Sequence, residues 1–195
     1  MSSIWLRARR SALDLLEDCR GIAATEFAVI VPIMLVMFFG VVEFSSGVAV
    51  DRKVTLVART LSDLTSQSIS VSDTDLANFF AASNAILTPY SATPTRSTIT
   101  ELHIDKVSLA ARVQWSQGAS PRTAGTVVVI PPALAVSDTY LIMSEVSYTY
   151  VPTIGYVMAK AGVNLSDLTY TRPRQSTCVI YPTPTSGALP ACPTL

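Results

Sequence analysis

Between Phe27 and Val42 the chain has sixteen consecutive residues with no charged or strongly polar side chain, and the residue just ahead of them is a carboxylate, Glu26. A run that apolar is a membrane span or the core of a secretory signal. At 1.5 Å per residue it reaches about 24 Å, against a hydrocarbon layer of about 30 Å. A spanning helix must therefore recruit its flanks, Ile22 to Glu26 on one side and Glu43 to Val50 on the other. At least one of Glu26 and Glu43 then approaches the apolar layer, where an ionised carboxylate needs a cation or a proton. Pro32 has no backbone donor, which predicts a kink or local unwinding near Ile30 to Pro32. A cleaved secretory signal is the rival reading. The stretch that follows, Glu43-Phe44-Ser45-Ser46-Gly47-Val48-Ala49, offers only a poor cleavage site.

The flanks add detail. Ahead of the run lie Arg7, Arg9, Arg10 and Arg20, with Trp5, Leu6, Leu13, Leu15 and Leu16 spaced for a weak amphipathic helix resting on a membrane surface. After it come Arg52, Lys53 and Arg59, so four cations against three scarcely orient the span by charge. An N-terminus inside the cytoplasm is favoured instead by the long, uncharged C-terminal part, rich in Ser, Thr and Pro, which reads as exported. Gly47, Val50, Val54, Val57, Leu61 and Leu64 recur at spacings of 3, 4, 3, 4 and 3, a seam on one helical face. One helix from about Ile22 to Thr65 is expected, its first half in the membrane and its second half amphipathic. The seam can pack on the chain's own soluble domain or on neighbouring subunits, and the two are compatible.

Ser72-Asp73-Thr74-Asp75 is a helix start, with Ser72 as cap and Asp75 three residues on. That helix runs to about Leu87, burying Leu76, Phe79, Phe80 and Ile86, and Pro89 and Pro94 end it. The period then changes to two. Strands are expected over Thr98 to Asp105 and over Val107 to Ser116, where Val107, Leu109, Ala111, Val113 and Trp115 alternate with polar residues. Further strands are expected at Thr126 to Ile130, Tyr140 to Val151 and Leu168 to Thr171, with a short helix around Gly155 to Gly162. The soluble part is thus α+β, a long and a short helix against an antiparallel sheet of about four strands.

Charged residues are only 14% of the chain and the net charge is zero, so no domain-wide basic patch points to nucleic acid. In an exported domain Cys178 and Cys192 form a natural disulfide worth about 3 kcal/mol by loop entropy; two free thiols are the alternative. Cys19 follows Leu16-Glu17-Asp18 and does not resemble a lipoprotein cysteine. The one histidine, His103, sits in a strand, and no metal spacing, phosphate loop or nucleophile elbow accompanies it. Neither an enzyme active site nor a cofactor is expected.

The Gly21 to Pro32 stretch resembles the signature of TadE-like proteins, minor pseudopilins of the tight-adherence (Flp, type IVb) pilus system. The residues that carry the likeness are Gly21, Ala23-Ala24-Thr25, Glu26-Phe27-Ala28, Pro32, Phe39-Gly40 and Glu43. A weaker match lies in the C-terminal part: Val146-Ser147-Tyr148-Thr149-Tyr150-Val151-Pro152 and Arg172-Pro173-Arg174. The resemblance implies a pilin-like fold and a cytoplasmic leader, residues 1–21, cut off by a prepilin peptidase between Gly21 and Ile22. A transmembrane helix over 22–45, its periplasmic continuation over 46–70 and a periplasmic α+β domain over 71–195 would follow. It further implies that Glu26 pairs with the new α-amino group of a neighbouring subunit and sets axial register; the alternative is that Glu26 merely snorkels to the interface. The implied partners are the bacterial inner membrane, the peptidase, other pilin or pseudopilin subunits and the pilus assembly platform. Ile22 stands where many type IVa pilins have Phe, which leaves N-methylation open. A permanently anchored single-pass envelope protein with a binding or adhesion domain is the competing reading.

Overall fold

The computed structural model describes residues 20–152 and 162–194. The leader helix, Cys19 and, apart from Gly162, the short helix expected near Gly155 lie outside them. The chain divides into two compact units that part between Ser45 and Ser46.

Helix α1, Arg20–Ser66, begins in the first unit and ends in the second. It is helical without interruption through Pro32, so the local unwinding expected there is absent. Proline removes only one backbone bond, the one to the carbonyl of Ala28. Thr25 turns its hydroxyl back onto the helix, donating to the Ile22 carbonyl at 2.8 Å. From Ile22 to Phe44 the large apolar side chains other than Val31 are exposed: Phe27 is 68%, Val36 73% and Phe44 74% accessible. A surface of this size and uniformity is solvated by lipid or by other apolar helices, not by water. Among the described residues this is the one helix long and apolar enough to cross a membrane, a single anchor by length and composition.

In the second unit α1 has a different surface. Val50, Val54, Val57, Ala58 and Leu61 are buried to within 1% and pack on the sheet. The seam read from sequence is thus consumed by the chain's own domain. It drifts at its end: Leu64 is half-buried, while Ser62, Thr65 and Ser66 are buried in its place. A 3.5-residue seam rotates by about 20° per heptad on an α-helix, which turns the next positions inward.

Helix α2, Asp73–Ala85, starts as its sequence requires. Ser72 Oγ accepts from the Asp75 amide and Asp75 Oδ2 accepts from the Ser72 amide, a closed capping box. Its far end is capped from α1: Lys53 Nζ donates to the carbonyls of Ile86 and Thr88 at 2.8 and 2.7 Å. A cation on those orphan carbonyls also meets the negative end of the helix dipole.

The sheet comprises β1 (Thr95–Ile104), β2 (Ala111–Gly118), β3 (Val127–Val128), β4 (Thr139–Tyr150) and β5 (Val163–Thr171). Its order is β3-β2-β1-β4-β5, with every pair antiparallel. Four strands are of full length, as expected, and the fifth is the two-residue β3. In Thr126 to Ile130 only Val127 and Val128 join the ladder with β2 before Pro131-Pro132.

Two expectations for β2 are corrected. Val107 and Leu109 belong to a turn: Asp105 Oδ1 accepts from the amides of Val107 and Ser108 and from the Ser108 hydroxyl, which outcompetes the ladder. Val107 is left 91% exposed. The alternation also breaks within the strand. Glu101 pairs with Trp115 but Leu102 pairs with Val113, so Gln114 is the extra residue of a β-bulge. Ala111 and Val113 therefore face outward with Leu102, Ile104, Leu141 and Met143, while Trp115 faces α1 with Ile99, Ile142, Val146 and Tyr148.

Replacing Lys53 with Met keeps the apolar stem and removes both caps on α2. A loss of about 1–3 kcal/mol is expected in denaturant unfolding of the detergent-solubilised chain. An unchanged midpoint would remove Lys53 as a link between the helices.

Candidate functional site

Gly21, Ile22, Glu26, Phe27 and Pro32 all lie on the exposed first unit of α1. Nothing in that unit requires glycine at position 21. A Cβ there would meet no atom within 4 Å, and its backbone is helical. Glycine inside a helix costs roughly 1 kcal/mol relative to alanine. Glu26 is exposed and has no hydrogen-bond or ion-pair partner among the described residues. A carboxylate fixed at the head of an apolar helix, with its counter-charge missing, is chemically a half-site: it can take a cation from outside the chain.

The second group of sequence-marked residues lies in the other unit and has partners. Arg174 closes the C-terminal end of α1. Its amide donates to the Ser66 carbonyl at 2.8 Å, and its guanidinium holds Asp63 at 2.5 Å. Pro173 and Arg172 carry the chain from β5 to this clasp. Cys178 and Cys192 are bonded to each other and close a loop over a sequence separation of 14.

That loop anchors a C-terminal strap, residues 172–194, on the α1 side of the sheet. Ile180 bridges Ser70 in parallel, its amide donating to the Ile69 carbonyl and its carbonyl accepting from Val71. Val179 is fully buried in the core under α1, and Tyr140 donates its hydroxyl to the Pro193 carbonyl. Sequence analysis assigns no helix or strand to this Pro- and Ser-rich tail. The apolar run Cys178-Val179-Ile180-Tyr181 was the one local signal that it is core.

At the centre of the strap contact is a carboxylate that was not singled out in the sequence. Glu101 is fully buried. Its Oε1 accepts from the Val179 amide at 2.6 Å and its Oε2 from the Trp115 indole at 2.8 Å, while the same indole also donates to the Val179 carbonyl. Burial pushes its pKa from 4.5 up to about 7, against the two donors, which favour the ionised form. The bulge at Gln114 is what turns Trp115 to this face.

His103, two residues on, is buried and stacks on Tyr140 with ring centroids 4.7 Å apart; its Nε2 lies 3.5 Å from Asp138 Oδ1. Glu101 is fully buried, so its carboxylate is closed off from solvent. Among the described residues no group of three or more His, Cys, Asp or Glu is arranged to hold a metal ion.

Residues 21–61 match the family model described as TadE-like protein. No curated protein and no solved structure matches the chain.

Glu101 makes stability depend on pH. Its folded pKa is raised, so the folded state binds the proton more tightly than the unfolded chain. The contribution is fully present below about 4.5 and is lost as pH rises through about 7. Over that window the unfolding free energy should fall by about 3 kcal/mol. Glu101→Gln should flatten this part of the profile in thermal unfolding; an unaltered slope would assign the titration elsewhere.

Proposed function

We propose, for a chain that belongs to the TadE-like family through residues 21–61, that it is a minor pseudopilin of a tight-adherence (Flp, type IVb) pilus. In this reading a prepilin peptidase cuts between Gly21 and Ile22 and removes residues 1–21. The helix over residues 22–45 holds the protein in the inner membrane with its C-terminal domain in the periplasm, until it joins other pilin or pseudopilin subunits on the assembly platform. The observation that carries it is the pairing of an unpartnered Glu26 with a glycine five residues earlier that the helix does not need.

Cleavage makes chemical sense of both. Hydrolysis of the Gly21–Ile22 peptide bond adds water across it, leaving a carboxylate on Gly21 and an amine, protonated at neutral pH, on Ile22. A glycine leaves the scissile bond unshielded. The new ammonium is a cation at the level of the carboxylates of neighbouring helices, the counter-charge that Glu26 lacks. An ion pair between the Glu26 of one subunit and the Ile22 amine of the next is desolvated by surrounding apolar side chains, so a mismatched register is costly. Apolar contacts of α1 with other subunits fall mainly to its first unit, because Val50, Val54, Val57, Ala58 and Leu61 are already buried on the chain's own sheet.

Mass spectrometry of the N-terminus in the native host tests the reading. A mature chain beginning at Ile22 is the expected result, and an intact leader would sink it in favour of a permanently anchored envelope protein. Gly21→Ala should abolish trimming. Glu26→Ala should leave trimming in place and reduce surface piliation; wild-type piliation in that variant would end the register role.

A further inference from the structure

The two edges of the sheet are built differently. On one side β3 is two residues long, Pro131-Pro132 follow, and β2 is interrupted by its bulge and overlaid by the strap at Trp115 and Gln117. Those are devices that prevent pairing with another chain. On the other side β5 has nine residues, contains neither proline nor lysine, and pairs with β4 at every position without a register shift. Its outer backbone groups can be identified. The Ala119 amide donates to the Ser97 carbonyl, so Ser97 faces β2 and its neighbour Thr98 faces β4. Following the register, Glu145 faces β1, Val146 and Asp167 face each other, and Asn164, Ser166, Leu168 and Tyr170 turn their backbone groups away from the sheet. Asp167 Oδ1 accepts from the Leu168 amide at 2.8 Å, covering one of those donors.

The edge is flanked by a depression on each face. On the α1 side a groove of about 340 Å³ runs between Arg59, Asp63 and Leu64 of the helix and Thr169 and Thr171 of β5. On the outer side a recess of about 590 Å³ is lined by Arg96, Arg122, Glu145, Ser166 and Leu168. A strand laid along β5 would direct alternate side chains towards these two depressions.

We propose that β5 is a docking edge for an extended segment of a different polypeptide, which adds a sixth strand to the sheet and presents a lysine or arginine opposite Asp167. A second copy of this chain is disfavoured by charge. Asp167 is the central residue of β5, so two antiparallel copies in full register would set Asp167 against Asp167. Other registers shorten the ladder. A basic residue opposite it instead draws the carboxylate off the Leu168 amide, which is then free to donate to the incoming carbonyl. Asp167 in this way guards the edge against self-association while selecting a basic partner strand. The proposal is independent of cleavage at Gly21.

The test uses the full-length chain in its native host, with a photo-cross-linking residue at Asn164 and a control at Val127 in β3. The expected result is an adduct at 164 and not at 127, mapping to an extended segment of another polypeptide that carries Lys or Arg. Ser166→Pro, which removes one outward donor and no bond to β4, and Asp167→Lys should each lower the adduct yield about tenfold or more. Chain abundance and closure of Cys178–Cys192 should stay at wild-type levels. An adduct with a second copy of the chain would overturn the proposal. So would the lack of any adduct from normally abundant protein, or a yield that Asp167→Lys leaves unchanged.

Discussion

Burial of one face of α1, from Val50 to Leu61, is the contact on which the second unit is built. At roughly 1.5–3 kcal/mol for each large side chain removed from water, these few residues hold more free energy than the surface ion pairs of the domain. They also orient the other elements. β1 and β4 present Ile99, Ile142, Val146 and Tyr148 to the helix, α2 and the turn after it bring Leu76 and Leu87 to the same cluster, and Lys53 reaches from α1 to the end of α2. The same helix has no such contact over its first unit, where apolar side chains lie on all sides. One continuous element is therefore stabilised by two solvents: the interior of its own domain at one end, lipid or apolar helices at the other.

The second constraint is the bulge at Gln114. Without the extra residue Trp115 would lie on the outer face with Val113. With it, the indole N–H reaches Glu101 and the Val179 carbonyl, and a strap distant in sequence gains a fixed seat. Glu101 is held by two donors, yet burial outweighs them and favours the protonated acid. Removing one donor would leave a buried polar group unmatched, so sheet, strap and disulfide loop depend on one another. The chemistry at Glu101 is structural, and among the described residues the groups with unused chemical capacity lie elsewhere: Glu26 on the helix and the outward backbone groups of β5.

Much of this was legible in the residues. The apolar run with Glu26 and Gly21, the seam over α1, the Ser72–Asp75 capping box and the strands around Thr98 and Tyr140 are all signalled locally, by composition or by a period of 3.6 or 2. Such features depend on neighbours within a few positions, which the chain itself supplies. The segment that matches the TadE-like family model, residues 21–61, is of this kind, since a single helix sets its pattern through residues within a few positions of one another.

Tertiary structure decided most of the rest through partners remote in sequence, although the turn at Asp105 is a local competitor. The turn at Asp105 beat the alternation that Val107 and Leu109 suggested, and the bulge reversed the facing of Trp115. Leu64 lost its place in the seam because helix rotation brought Thr65 and Ser66 inward. The Cys178 to Tyr181 strap is core because remote partners meet it: Glu101, some 78 residues away, accepts from the Val179 amide, and the Trp115 indole donates to the Val179 carbonyl. Arg174 is a clasp only because the end of α1 arrives beside it. By itself the sequence determined which segments must leave water and in what local form; only the folded chain settled which of them meet, because desolvated polar groups are satisfied by whatever the topology brings within about 3 Å.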